Sequence, residues 1–177
     1  MILPYSQIIE YAKLKPDEFE RALHEFFPTE EIAQRATDEL MGLFFEWLIY
    51  ELKQTSKATF FVEYVLRNPD TLPIRRIDEL RQVGETQWYS DFQLLSVVSG
   101  SHVHVEDVYT GKMYDIFDAK GSRNCESKGL LKARAAYIDG KYYFVGANPI
   151  FAPIVYTERT KKIIRELKID KHSAKDT

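Results

Sequence analysis

Residues 40–52 read LMGLFFEWLIYEL, a run in which apolar side chains fall on every face of a helix rather than on one stripe. Such a helix has to be covered on most sides. The rest of the chain must therefore supply the cover, and its pattern divides into acidic helical segments before the run and short strands after it. A chain of 177 residues can bury about two thirds of its extended surface, so no disulfide or metal staple is required. Its apolar share of 45% and aromatic share of 14% fit a folded domain, not a disordered chain.

The helical pattern begins at residues 4–11, with Pro4 in a first turn. Pro16, Asp17 and Glu18 suit the positive end of a second helix, and Phe19, Leu23, Phe26 and Phe27 follow at helical spacing as core positions. Thr29 is a suitable N-cap, and Ile32, Ala33, Ala36 and Leu40 lead into the apolar run. The expectation is one helix over residues 30–53, about 36 Å long. Residues 58–67 read as a helix closed by Asn68-Pro69, and residues 74–87 as another, with Ile77, Leu80 and Val83 on one side.

From Trp88 the period changes to two. Residues 92–98, 102–109, 112–118, 130–138 and 141–145 read as strands, and Val103 and Val105 alternate with His102, His104 and Glu106. Asp139-Gly140 matches a type I′ hairpin turn, which needs positive φ at both central residues. A further short edge strand falls within residues 148–153, a basic helix over 157–167 and a polar tail over 168–177. The predicted fold is α+β: an N-terminal helical segment packed on a five-stranded antiparallel meander or small barrel, then a C-terminal helix. Its segments are a helical lobe over 1–87, the β meander or barrel over 88–155, and the helix and tail over 156–177, expected to form one compact unit.

Three phrases then carry a resemblance: FFEWLIYEL at 44–52, VHVEDVYTGKMYDIFD at 103–118 and SKGLLKARAAYIDGKYYFVG at 127–146. In that order, over residues 40–155, they resemble an uncharacterised bacterial domain with an F-x-E-W helix and a small antiparallel barrel, often found beside SEC-C type zinc motifs. The resemblance implies that architecture and no particular activity. The cysteine-rich zinc element is absent here, so no metal role comes with it.

Cys125 is the single cysteine, which excludes an intrachain disulfide and a thiolate zinc cage. A reducing, cytoplasmic setting follows as the expectation. The N-terminus shows no basic segment followed by an apolar run, and Glu46 and Glu51 interrupt the longest apolar stretch, so neither export nor membrane spanning is expected. Net charge is −3, unevenly spread. Residues 1–109 hold 10 Lys and Arg against 19 Asp and Glu, whereas residues 110–177 hold 14 against 8. Either the two halves attract each other or the C-terminal half meets an anionic partner.

Chemistry-bearing residues are few. His102, His104 and Glu106 share one strand face and are weak metal candidates, since two imidazoles and a carboxylate need a further converging group. Glu46, in the most apolar stretch, either finds a cationic partner or takes up a proton with a raised pKa. Cations near Cys125 would lower its thiol pKa, but no imidazole is placed beside it. Lys112, Arg123, Lys128, Lys132, Arg134 and Lys141, with Tyr142, form the mixture of cations and rings by which small barrels bind single strands. Phosphate-binding loops and the common hydrolase motifs are missing. The functional expectation is a non-catalytic binding or interaction module with a protein partner and no cofactor. The alternatives are a nucleic-acid-binding barrel and an enzyme using Glu46 or Cys125.

Overall fold

In the computed structural model, which describes residues 3–124, 128–146 and 149–167, the long helix expected over 30–53 is interrupted at Thr37. The chain divides into two compact units, one ending at Gly84 and the other beginning at Glu85. The first holds α1 (Tyr5–Lys13), α2 (Pro16–Phe26), α3 (Glu30–Gln34), α4 (Asp38–Tyr50), α5 (Phe60–Arg67) and most of α6 (Ile74–Thr86). The break has a local cause. Thr37 Oγ1 accepts the Leu40 N–H at 3.3 Å while Asp38 and Glu39 sit in the first turn, so a new helix starts where the apolar periodicity alone reads as continuous.

The second half of α4 is enclosed, as its composition demands. Phe44, Leu48 and Ile49 have no exposed surface, and the Phe44 ring meets Phe19, Phe26 and Phe27 at 5.9, 5.4 and 5.5 Å between centroids. Tyr50 stacks on Phe61 of α5 at 5.0 Å. α5 ends where Asn68-Pro69 said it would, with Asn68 in the left-handed region at φ 45°. A polar node ties α5 to the start of α2: Glu63 accepts from Arg67 Nε at 2.7 Å and from Lys15 Nζ, which also donates to Gln54 Oε1 at 2.8 Å.

The second unit is a small closed barrel. Its strands are β1 (Trp88–Val98), β2 (His102–Asp107), β3 (Met113–Phe117), β4 (Gly129–Ile138) and β5 (Lys141–Phe144), with β6 (Ile150–Ala152) alongside β4. β1 is shared: residues 88–94 pair with β4, and residues 92–98 pair with β2 through a register shift between Leu94 and Ser96. Such an irregularity bends the strand, which lets one strand serve two sides of a barrel. Ladders β2–β3 and β4–β5 are antiparallel, and β3–β5 is parallel, pairing Ile116 with Tyr142 and Phe117 with Tyr143.

The small barrel expected from the sequence is therefore present, with one parallel ladder where the sequence suggests a purely antiparallel order. The reason lies in the connection after β3. It is no tight turn, and it contains the short helix α7 (Gly121–Asn124), so β3 and β4 need not be neighbours. β5 fills the place between them. The Asp139-Gly140 turn has the expected positive φ at both residues, 47° and 82°.

Phe92, Leu94, Val103, Val105, Ile116, Leu131, Ala133 and Ala135 form the barrel core, with Trp88, Tyr114, Tyr142 and Phe144 packed against it. One end is closed by Asp107, which is fully buried. Its Oδ2 accepts from Trp88 Nε1 at 3.1 Å and Ser90 Oγ at 3.0 Å, and its Oδ1 from the backbone N–H groups of Tyr109 at 3.1 Å and Thr110 at 3.0 Å.

After β6 the chain crosses the outside of the barrel into α8 (Glu158–Glu166). The Tyr156 N–H donates to Gln93 Oε1 of β1 at 2.8 Å. Lys161 then pairs with Glu106 of β2, and Arg165 reaches both Glu106 and, at 3.0 Å, the Val108 carbonyl. Burial alone would push the Lys161 ammonium down, but its bonds to Glu106 and Glu158 outweigh that and raise its pKa. This strap covers Gln93 of β1 and Glu106 of β2 and leaves outer positions of β2, β3 and β5 at least partly open.

Candidate nucleic-acid interface

Alternation along the strands decides what those open positions carry. Val103, Val105, Ile116, Tyr142 and Phe144 face the core, so their neighbours His102, His104, Phe117 and Tyr143 face out. His102 is the Cα partner of Phe117 across β2–β3, and Phe117 that of Tyr143 across β3–β5. Three rings thus stand in a row across three adjacent strands, with centroids 5.6 and 6.2 Å apart and all three half-buried.

Cations flank the row. Lys141 Nζ lies 4.8 Å from the centre of the Phe117 ring. Arg123 of α7 lies against the β1–β2 turn, where a Cβ on Gly100 would stand 3.5 Å from its Nε; Gly100 itself has φ +76°. His102 Nδ1 is 2.9 Å from Ser101 Oγ, and His104 Nδ1 is 2.8 Å from Asp115 Oδ1 of β3. Flat apolar faces between exposed cations can stack bases and hold phosphates.

The residues singled out from the sequence are dispersed. Lys141 and Arg123 border the row, and Lys128 is exposed just before β4. Lys112 is exposed in the β2–β3 turn. Lys132 and Arg134 lie on β4, where Lys132 approaches Asp91 at 3.9 Å and Arg134 is buried, donating to Gln87 and lying 5.4 Å from the Tyr89 ring centre. Tyr142 packs on the barrel core, 4.9 Å from both Tyr114 and Tyr137. Phe117 and Asp115 went unselected in the sequence, whereas Tyr143 lies among the rings close to those cations; the two-residue Asp139-Gly140 turn sets Tyr143 opposite Ala136 and Tyr142 opposite Tyr137.

Glu106 sits on the same strand as His102 and His104, but both its oxygens are engaged by Lys161 and Arg165 under the strap. Among the described residues no group of three or more His, Cys, Asp or Glu is arranged to hold a metal ion. Glu46 is buried on α4, and it lines neither of two clefts of the helical unit, about 390 and 340 Å³. Cys125 lies outside the described residues. No described helix is long and apolar enough to cross a membrane. In comparisons with family models, curated proteins and solved structures the chain has no significant match.

Proposed function

We propose that this chain is a non-catalytic binding module whose β2–β3–β5 face takes single-stranded nucleic acid. The row His102, Phe117 and Tyr143 is the observation that carries the reading. Its ring spacings of 5.6 and 6.2 Å exceed the roughly 3.4 Å per nucleotide of a duplex strand, so bases seated on successive rings must be unstacked from one another. The ammonium of Lys141 occupies the Phe117 face in the free protein. An exposed contact of that kind is worth about 0.5–1 kcal/mol, less than the ~1–3 kcal/mol of a base stacked on a ring. A base therefore displaces Lys141 toward the backbone phosphates.

The strand order β1-β2-β3-β5-β4, closed by β1–β4, with a helix between β3 and β4, resembles that of barrels that bind oligonucleotides and oligosaccharides. Folds host many functions, so the rings and cations, and not the topology, bear the weight. A reducing, cytoplasmic setting fits the single cysteine.

Fluorescence anisotropy with labelled single-stranded DNA and RNA of mixed sequence tests the reading. The protein is expected to bind at about 50 mM salt and to weaken as salt rises, with Phe117→Ala and Tyr143→Ala each losing about 5- to 150-fold. Lys141→Ala is expected to reduce the salt slope by about 0.7. Absence of binding at that ionic strength refutes the proposal.

A further inference from the structure

A face built for a polyanion should not carry an exposed carboxylate. Asp115 is one: it points outward from β3 with 59% of its side chain exposed. Glu106, the other outward carboxylate of β2, β3 and β5, is buried and neutralised by Lys161 and Arg165. Asp115 is also held in place, because His104, its Cα partner on β2, meets its Oδ1 at 2.8 Å. It lies two residues before Phe117 on the same face, about 6.5–7 Å along the strand. A base stacked on Phe117 can turn its edge toward that carboxylate.

From this juxtaposition we infer that Asp115 reads guanine, a step that rests on the nucleic-acid reading above. An ionised carboxylate only accepts hydrogen bonds. The Watson–Crick edge of guanine offers two adjacent donors, N1–H and the N2 amino group, which match its two oxygens. Adenine and cytosine set one amino donor beside a ring-nitrogen acceptor, and thymine and uracil flank one N–H with two carbonyls. Each of these turns an acceptor toward a carboxylate oxygen or leaves that oxygen without a partner. The exposed charge thus repels the phosphates of any strand but is offset where guanine sits on Phe117, which converts a general affinity into a preference. His104 acts as a positioning residue by fixing the carboxylate.

The test uses short oligothymidylate strands with a thymine, a guanine or a hypoxanthine at the centre, and the matching oligouridylate RNA strands. Hypoxanthine keeps N1–H and lacks the N2 amino group. The wild-type protein is expected to prefer the guanine strand by about 5- to 150-fold over the thymine strand and to lose most of that preference with hypoxanthine. Asp115→Asn should abolish the preference. His104→Ala should shrink the ratio of guanine-strand to thymine-strand affinity, whatever its effect on plain oligothymidylate. The DNA and RNA arms tell whether the guanine is taken from one polymer or from both. Binding that Phe117→Ala weakens but that ignores the central base overturns the guanine inference alone, as does a preference that survives Asp115→Asn. Failure of wild-type protein to bind any strand overturns both.

Discussion

Asp107 illustrates how one side chain can hold a barrel end. Four donors converge on its two oxygens, two from the Trp88 and Ser90 side chains and two from the backbone of the following turn. In Asp107→Asn an amide NH₂ must face one of those donor pairs, leaving buried polar groups unsatisfied at a cost of about 1–3 kcal/mol each. Urea unfolding followed by tryptophan fluorescence should show a loss of roughly 2–4 kcal/mol. A loss under about 0.5 kcal/mol, typical of a surface change, would contradict this account of the turn. At the same scale lies the least legible part of the site. In Lys141-Tyr142-Tyr143-Phe144 every residue suits a strand, so composition cannot tell the ring that enters the core from the one that leaves it. The register with β4 decides, and there alanine occupies 133, 135 and 136 on both faces, which mutes the alternation. Tyr142 went inward and Tyr143 outward for that reason.

Among the elements, the helices show where a local signal competes with periodicity. The apolar repeat runs on through Ala36 and Leu40, but Thr37-Asp38-Glu39 is a cap followed by two acids, and the cap wins. α7 was missed altogether, being four residues inside a polar connection. The helices are also where pH should act. Burial pushes the Glu63 carboxyl up, but hydrogen bonds from Lys15, Arg67 and Gln54 prevail and hold it at about 2, below its ordinary 4.5. Glu18, bonded by Thr55 and Arg21, is likewise held at about 2. A depressed carboxylate stabilises the folded state above the unfolded pKa, and that contribution is lost as pH falls through the folded one. Stability of the helical unit is therefore expected to decline between pH 4.5 and about 2. Glu63→Gln should cost roughly 2–3 kcal/mol at neutral pH and flatten that acid decline, leaving the part due to Glu18. An unchanged acid limb in thermal melts of the variant would argue against the node.

For the molecule as a whole, the sequence made the α+β class, the hairpin turn and the strand positions legible, because each rests on short-range chemistry. Barrel closure does not. Pairing of β1 with β4 and of β3 with β5 depends on contacts far apart in sequence, and it is this pairing that sets His102, Phe117 and Tyr143 side by side. The cations chosen from sequence were scattered by the same event, Arg134 onto the Tyr89 ring and Lys141 onto Phe117. The strap from β6 to α8 then divides the barrel exterior into a covered side around Gln93 and Glu106 and an open side bearing the ring row. Amide and aromatic NMR shifts of the labelled protein, titrated with a mixed-sequence single strand, test this division most directly. The account predicts that shifts concentrate on His102, His104, Asp115, Phe117, Lys141 and Tyr143 and spare Gln93, Glu106 and α8. Shifts centred on α8 or on the helical unit, or none at all, would contradict it.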